Sequence, residues 1–251
     1  MTQPVTAAMM IIGNEILSGR TQDTNLAYLA KRLNAVGVQV REARVVPDVE
    51  ATIVKTVNEL REKYDYVFTS GGIGPTHDDI TSASIAAAFG VPLVRDAEAV
   101  RRLEEAYRGT DKLNEARLKM ADVPQGAALI DNEVTAAPGF RMENVYVMAG
   151  IPKICQAMIE GILPQLRSGV TILSTSISTN LAEGNIAAGL TDLQSRYLDV
   201  EIGSYPHFVD GGYRTTLVFR SPDAARNDAA AAELSTIVES LGGELIDTPT
   251  A

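Results

Sequence analysis

The chain has 251 residues, 45% hydrophobic and 22% charged, the balance of an ordinary soluble globular protein, and its length suits either one large domain or a domain of about 150 residues with a smaller one. Its net charge of −10 argues against broad binding to nucleic acid or anionic membranes, because the protein's own field repels polyanions. One cysteine, Cys155, allows neither an intramolecular disulfide nor a cysteine zinc site, and no signal sequence or apolar span of about 18 residues is evident, so a cytoplasmic location is expected.

Residues 7–12 form a continuous apolar run, as in a strand buried on both faces of a parallel sheet. Leu26, Leu29, Ala30, Leu33 and Val36 then fall at helical spacing, and Gly37 is a stop. Val38 to Val46 alternates as a strand, and the helix after it has Val49, Ile53, Val57 and Leu60 on its core face. Tyr66 to Thr69 returns as a strand, so the order is βαβαβ. That order predicts a doubly wound, mostly parallel sheet with helices on both faces and ligands at the carboxyl ends of its strands. The pattern continues with a helix over 80–89 ended by Gly90, amphipathic helices over 96–107 and 112–121, strands near 127–130 and 145–148, and a helix from Pro152 to about Leu166. From Val170 the rhythm changes. Strand-like 171–178, helical 183–197, strand-like 200–204 and 213–219, a hairpin turn at Asp210-Gly211-Gly212 and a helix over 222–241 predict a small α+β domain. The predicted domains are residues 5–168 and 169–251.

The most informative segment is Phe68-Thr69-Ser70-Gly71-Gly72-Ile73-Gly74-Pro75-Thr76-His77-Asp78-Asp79-Ile80-Thr81. A strand runs into three glycines, whose backbone can turn sharply and approach a ligand closely. The following helix aims its free N–H groups at the loop, which suits a phosphate. Asp78 and Asp79 would repel that phosphate unless a divalent cation, Mg²⁺ or similar, bridged carboxylate and phosphate oxygen. As alternatives, either aspartate caps the helix. No lysine follows the glycines, so the loop is not a Walker motif, and His77 stands where a dinucleotide fingerprint has its third glycine. Glu15, in Gly13-Asn14-Glu15, lies just past the first strand at the same sheet edge, followed by Asp23-Thr24-Asn25, where Thr24 can cap the helix. Asp48 ends another strand and suits a helix cap, a ligand contact or both. Pro138-Gly139-Phe140 and Gly150-Ile151-Pro152 read as turns at that edge, and Gly150 can offer backbone N–H groups.

These motifs, with Gly13-Asn14-Glu15-Ile16-Leu17-Ser18-Gly19 and Asp23-x-Asn25, resemble the molybdopterin-binding (MoaB/Mog-like) fold over roughly residues 5–168, most of all the N-terminal part of competence/damage-inducible CinA proteins. The resemblance implies an α/β/α sandwich, acidic site positions at Asp48 and Asp79, and a phosphate-cradling loop at Gly71, Gly72 and Gly74; Thr69, Ser70, Pro75, Thr76, Asn25, Pro138, Gly139 and Gly150 are expected to complete the ligand site. The segment 199–213 resembles the part that follows this fold in eukaryotic FAD synthase, where the molybdopterin-binding-like domain is associated with FAD hydrolysis; CinA relatives cleave ADP-ribose. The amidase domain of CinA proteins has no counterpart before Ala251, so deamidation of nicotinamide mononucleotide is expected to be absent. Molybdenum-insertion relatives carry a further carboxylate where Asn14 stands, which counts against molybdate insertion.

The expected activity is metal-dependent hydrolysis of a nucleotide pyrophosphate such as ADP-ribose or FAD. Glu15, Asp48 and Asp79 would carry it, with metal on Asp79, Asp78 and Asp48. The alternative is a non-catalytic molybdopterin-binding module in cofactor biosynthesis or carriage. The expected partner is a phosphorylated nucleotide or pterin, with no nucleic acid and no membrane. A homo-oligomer, dimer or trimer, is expected, with the second domain, of KH-like or other topology, acting as a lid or in dimerisation.

Overall fold

The computed structural model describes residues 4–209 and 212–246. The chain divides into two compact units, Met1–Val170 and Thr171–Ala251.

The first unit opens with β1 (Val5–Ile12), a four-residue α1 (Asn14–Leu17), α2 (Asn25–Ala35), β2 (Val38–Val46), α3 (Glu50–Lys63) and β3 (Tyr66–Ser70). Every residue of β1 except Thr6 is buried, because alternate side chains feed two different cores. Val5, Ala7, Met9 and Ile11 pack with Leu29 and Leu33 of α2. Ala8, Met10 and Ile12 pack with Ile53, Val57 and Leu60 of α3. A strand covered on both faces has no polar side to show, which is why its sequence is a run rather than an alternation.

α4 (Thr81–Phe89) follows and stops at Gly90, whose φ of 65° closes the helix in the left-handed conformation. An excursion comes next: β4 (Leu93–Arg95), α5 (Ala97–Ala106), α6 (Glu115–Leu118), a 3-10 turn over Lys119–Ala121, and β5 (Asp122–Pro124), which pairs antiparallel with β4. The excursion holds its own small core of Ala99, Leu103 and Ala121. β6 (Ala128–Ile130), β7 (Gly139–Met142), β8 (Val145–Met148) and α7 (Pro152–Ile162) complete the unit.

The main sheet has the order β2-β1-β3-β8-β7-β6. β2, β1, β3 and β8 are parallel neighbours, and β7 runs antiparallel to both β8 and β6. From β1 the chain moves to β2 on one side and then crosses to β3 on the other. The carboxyl ends of β1 and β3 therefore form the switch point where open α/β sheets leave a crevice. α2 and α7 cover one face, α3 and α4 the other.

Several sequence expectations are corrected. Pro138-Gly139-Phe140 is not a free turn: Gly139 begins β7, buried against β8. Because β7 is antiparallel, its start still lies at the carboxyl edge of β8. The expected helix over 112–121 is only the single turn of α6, capped by the Asn114 carboxamide, plus the 3-10 turn. Neither Asp78 nor Asp79 caps α4, whose N-cap is Ile80 without a side-chain bond. Asp48 does not cap α3, because its Oδ2 accepts from the Asn14 N–H at 2.8 Å. At α2 the Asp23 carboxylate, not the Thr24 hydroxyl, takes the free N–H of Leu26 at 3.0 Å.

The second unit holds β9 (Leu173–Thr179), α8 (Glu183–Arg196), β10 (Glu201–Val209), β11 (Gly212–Ser221), α9 (Ala224–Ser240) and β12 (Leu245–Ile246). Its sheet is antiparallel, in the order β10-β11-β9-β12. Ile186 and Leu193 of α8 and Leu234 and Val238 of α9 bury Leu217 and Phe219 of β11. The Asp223 carboxylate caps α9 by accepting from Ala225 and Arg226. Asp210 and Gly211 of the expected hairpin turn lie outside the described residues. Among the described residues, no helix is long and apolar enough to cross a membrane.

The start of β7 depends on a missing side chain. A Cβ on Gly139 would stand 2.4 Å from the Val147 carbonyl oxygen, a backbone atom that cannot move without breaking the β7–β8 ladder. Gly139→Ala is therefore expected to cost about 1–3 kcal/mol of unfolding free energy, read from the urea midpoint.

Candidate functional site

The carboxyl ends of β1, β3 and β8 meet around a cleft of about 800 Å³. Its floor is backbone. Gly71 sits at φ 109°, and a Cβ there would lie 2.2 Å from the Ile12 carbonyl oxygen of β1. Gly72 sits at φ 72°, and its Cβ would lie 2.1 Å from Thr81 Oγ1. On the other side, a Cβ on Gly150 would reach the Gly71 Cα at 3.3 Å. Three strand ends converge here only because none of these positions carries a side chain.

Hydrogen bonds fix the turn. The Gly71 N–H donates to Met148 at 3.1 Å, the Thr81 N–H to the Gly72 carbonyl at 2.9 Å, and the buried Thr81 hydroxyl to the Gly71 carbonyl at 2.9 Å. Among the described residues, the N–H groups of Gly72, Ile73 and Gly74 donate to no protein acceptor. Successive unused N–H groups at a glycine turn form a concave donor set for an anion.

Beneath the floor, the Asn25 carboxamide ties α2 to β3 and to the β8–α7 turn. It donates to Ser70 Oγ at 2.8 Å and to the Gly150 carbonyl at 2.9 Å. Asn25 Oδ1 and Thr69 Oγ1 are buried without a hydrogen-bond partner among the described residues. Cys155 lies in the same layer; burial pushes its thiol up to about 12, against a smaller opposing effect of the Ser70 hydroxyl.

Two carboxylates line the cleft, Glu15 and Asp79. The Glu15 side chain folds back over Gly13, where a Cβ would meet its Oε1 at 2.4 Å. Asp79 Oδ2 accepts from the Thr76 N–H at 2.8 Å, and the Thr76 hydroxyl lies 2.5 Å from Asp79 Oδ2 and 2.6 Å from Asp78 Oδ1. That hydroxyl, above all, holds the exposed Asp78 carboxyl below its usual range, with smaller help from its own backbone N–H and from His77 and Lys119 nearby.

The remaining wall is mostly apolar: from the excursion come Leu103 and Ala106 of α5, Tyr107 just after it and Met120 in the 3-10 turn, and the segment between β6 and β7 adds Val134 to Pro138. Ile154 and Met158 of α7 close the other side. One end of the cleft therefore suits an anion and the other a flat apolar ring.

Of the residues expected from sequence, the cleft brings together Glu15, Gly71, Gly72, Gly74, Pro75, Asp79, Pro138 and Gly150. Asn25, Thr69 and Ser70 lie buried below it, Gly139 is locked into the sheet, and Thr76 with Asp78 shapes the loop from outside. Asp48 does not line the cleft; it holds the turn after β1 through Asn14. Among the described residues, no three His, Cys, Asp or Glu side chains stand close enough to form a metal cage. Glu15 and Asp79 are the two cleft carboxylates available to a divalent cation; with so few protein ligands such an ion would keep most of its water. Sequence reading missed the apolar wall, because α5 and the 3-10 turn reach the cleft only through tertiary packing. It also gave no role to Thr81, whose hydroxyl fixes Gly71.

Residues 8–168 match the family described as "Probable molybdopterin binding domain", and the chain belongs to that family. Residues 171–242 match a second family, described as "FAD synthase, middle domain". The chain is 34% identical over 272 residues to a protein named "Probable FAD synthase" from Caenorhabditis elegans, covering 98% of this chain and 52% of that protein. It is 33% identical to protein PH0439 of Pyrococcus horikoshii, covering 87% of this chain and 91% of that one. The crystal structure of CinA from Thermoplasma acidophilum, described there as of unknown function, superposes with a TM-score of 0.60 at 35% identity, over 64% of this chain and 98% of that chain. The chain spans about half the length of the two Caenorhabditis proteins named "Probable FAD synthase" that it matches.

The buried thiol gives a direct check on the layer under the cleft. At about pH 8, some four units below its pKa of about 12, Cys155 should leave a thiol reagent unreacted in the native protein, and one thiol per chain should titrate after unfolding. Rapid native labelling would show that this layer opens.

Proposed function

We propose that the cleft binds a nucleotide pyrophosphate of the ADP-ribose or FAD type and that the chain hydrolyses it with a divalent cation. The observation that carries this reading is the run of three unused N–H groups over Gly72–Gly74, set beside Glu15 and Asp79 and continuous with an apolar wall. A diphosphate lies on the N–H groups, which hold it without a positively charged side chain. The attached base or isoalloxazine ring lies against Tyr107, Leu103 and Met120. Asp79 would hold the cation, which would supply positive charge against that developing on the phosphates, and Glu15 stays free as the base. A water oxygen bonds to one phosphorus, the bridging P–O bond breaks, and Glu15 takes the water's proton. ADP-ribose yields AMP and ribose 5-phosphate; FAD yields AMP and FMN.

The second reading is a molybdopterin-binding module without turnover, favoured by the family match over residues 8–168. A pterin phosphate presents the same two features, an anion and a flat ring. The ligand retained on purification separates the two: an oxidised pterin, seen by its fluorescence, supports the second reading.

Incubation with ADP-ribose or FAD and a series of divalent cations tests the first. Formation of AMP supports it, and no product with any cation defeats it. Asp79→Asn keeps the size of the side chain and an oxygen for the Thr76 N–H, so folding stability should shift by no more than about 1 kcal/mol. Cation-dependent turnover should fall by at least about tenfold. A variant with wild-type turnover would leave Asp79 as a loop-shaping residue alone.

A further inference from the structure

The glycine-rich loop has few external ties. Residues 73–79 hold together through Thr76, Asp78 and Asp79, and among the described residues only one hydrogen bond reaches them from elsewhere: Lys119 Nζ donates to the Thr76 carbonyl at 2.5 Å. Lys119 begins the 3-10 turn whose next residue, Met120, lines the apolar wall. Its ammonium also acts on the Asp78 carboxylate. A single side chain thus links the anion end of the cleft to its ring end, 43 residues apart in sequence. Lys119 itself does not line the cleft.

We infer that Lys119 is a positioning residue: it pins the Thr76 carbonyl so that the Gly72–Gly74 N–H groups face the cleft, and its charge offsets the carboxylates at the loop's tip. Without it, two neighbouring carboxylates repel each other and the incoming phosphates, and residues 73–79 lose the one outside hydrogen bond they have among the described residues. The charge-assisted bond is worth more than a neutral one. The inference rests on the reading that the cleft takes a phosphorylated ligand.

The test compares wild type with Lys119→Met, which keeps the stem, and Lys119→Arg, which keeps the charge. Calorimetric titration with Mg²⁺ and ADP-ribose in its non-hydrolysable, methylene-bridged form should show at least about fivefold weaker binding for Lys119→Met and recovery to within about twofold for Lys119→Arg. Adenosine, which has no phosphate, should bind wild type and Lys119→Met alike. The amides of Thr76, Asp79 and Thr81 are bonded within or beside the loop. In Lys119→Met they should exchange with solvent at least about threefold faster than in wild type, with the amides of β1 unchanged. Unchanged ADP-ribose affinity in Lys119→Met overturns the role, as does an equal loss of adenosine. If wild type binds no ADP-ribose, the ligand reading fails, and the ligand-free exchange rates decide the role of Lys119 alone: unchanged rates overturn it, faster loop exchange supports it. Should Lys119→Met fail to fold, Lys119→Gln takes its place under the same criteria.

Discussion

Everything at the cleft depends on how closely three strands approach one another at their carboxyl ends. The Ile12 carbonyl stands 2.2 Å from the point a Gly71 Cβ would occupy, and Gly71 in turn lies 3.3 Å from where a Gly150 Cβ would be. The parallel ladder brings β1, β3 and β8 into register right up to this level: Ile11 pairs with Ser70, and Ser70 with Met148. The chain must then leave β3 without clashing with either neighbour. Only glycine allows a φ of 109° followed by one of 72° without strain. That turn spends no N–H groups on the sheet beyond Gly71, and so leaves the next three without a protein acceptor among the described residues.

The same constraint explains why the buried polar residues sit where they do. Turning so tightly leaves the carbonyl of the buried Gly71, and that of the exposed Gly150 beside it, to find partners outside the ladder. Thr81 serves the first and Asn25 the second. A buried acceptor such as the Gly71 carbonyl costs about 1–3 kcal/mol if left unpaired, and Thr81 and Asn25 are themselves buried, so these two side chains hold the floor rather than meet a ligand. Asn25 lies on α2 and Thr81 on α4, one from each helical layer. Each layer therefore braces one of two adjacent turns, α4 the turn after β3 and α2 the turn after β8, so the sheet edge is held from both faces.

How much of this was legible depended on how local each cause is. The continuous run of β1, the alternation of β2 and the glycines after β3 have causes within a few residues, and the βαβαβ order followed from them. β7 was hidden because Pro138-Gly139 carries the residue types of a turn, while the reason for its strand is the β8 backbone beside it. β4 and β5 are three residues each, too short to show a period, and exist because they pair. The caps misled for a different reason: Asp48, Asp78 and Asp79 all have acceptors suited to a helix N-terminus. Asn14 and Thr76, however, offer donors that win them. For the site, the anion cradle could be read from the glycines, but Tyr107, Met120 and Lys119 could not, since no local pattern separates a helix face that lines a cleft from one that packs on a core.

Charge adds a last constraint. A chain of net charge −10 cannot draw a polyphosphate by its long-range field. Recognition has to act at contact distance, where oriented N–H dipoles work even in an acidic protein, and where salt screens little because the groups lie within a Debye length of about 8 Å. On the proposed reading this favours a ligand that brings its own counter-ion, since a magnesium-bound diphosphate meets Glu15 and Asp79 as partners and a bare diphosphate meets them as repulsion. The carboxylates then act as a filter that discriminates by the charge of the whole ligand–metal unit, while the apolar wall discriminates by ring shape. The two selections are made by different segments of the chain: the carboxylates come from the turns after β1 and β3, the apolar wall from the excursion between α4 and β6 and the segment before β7.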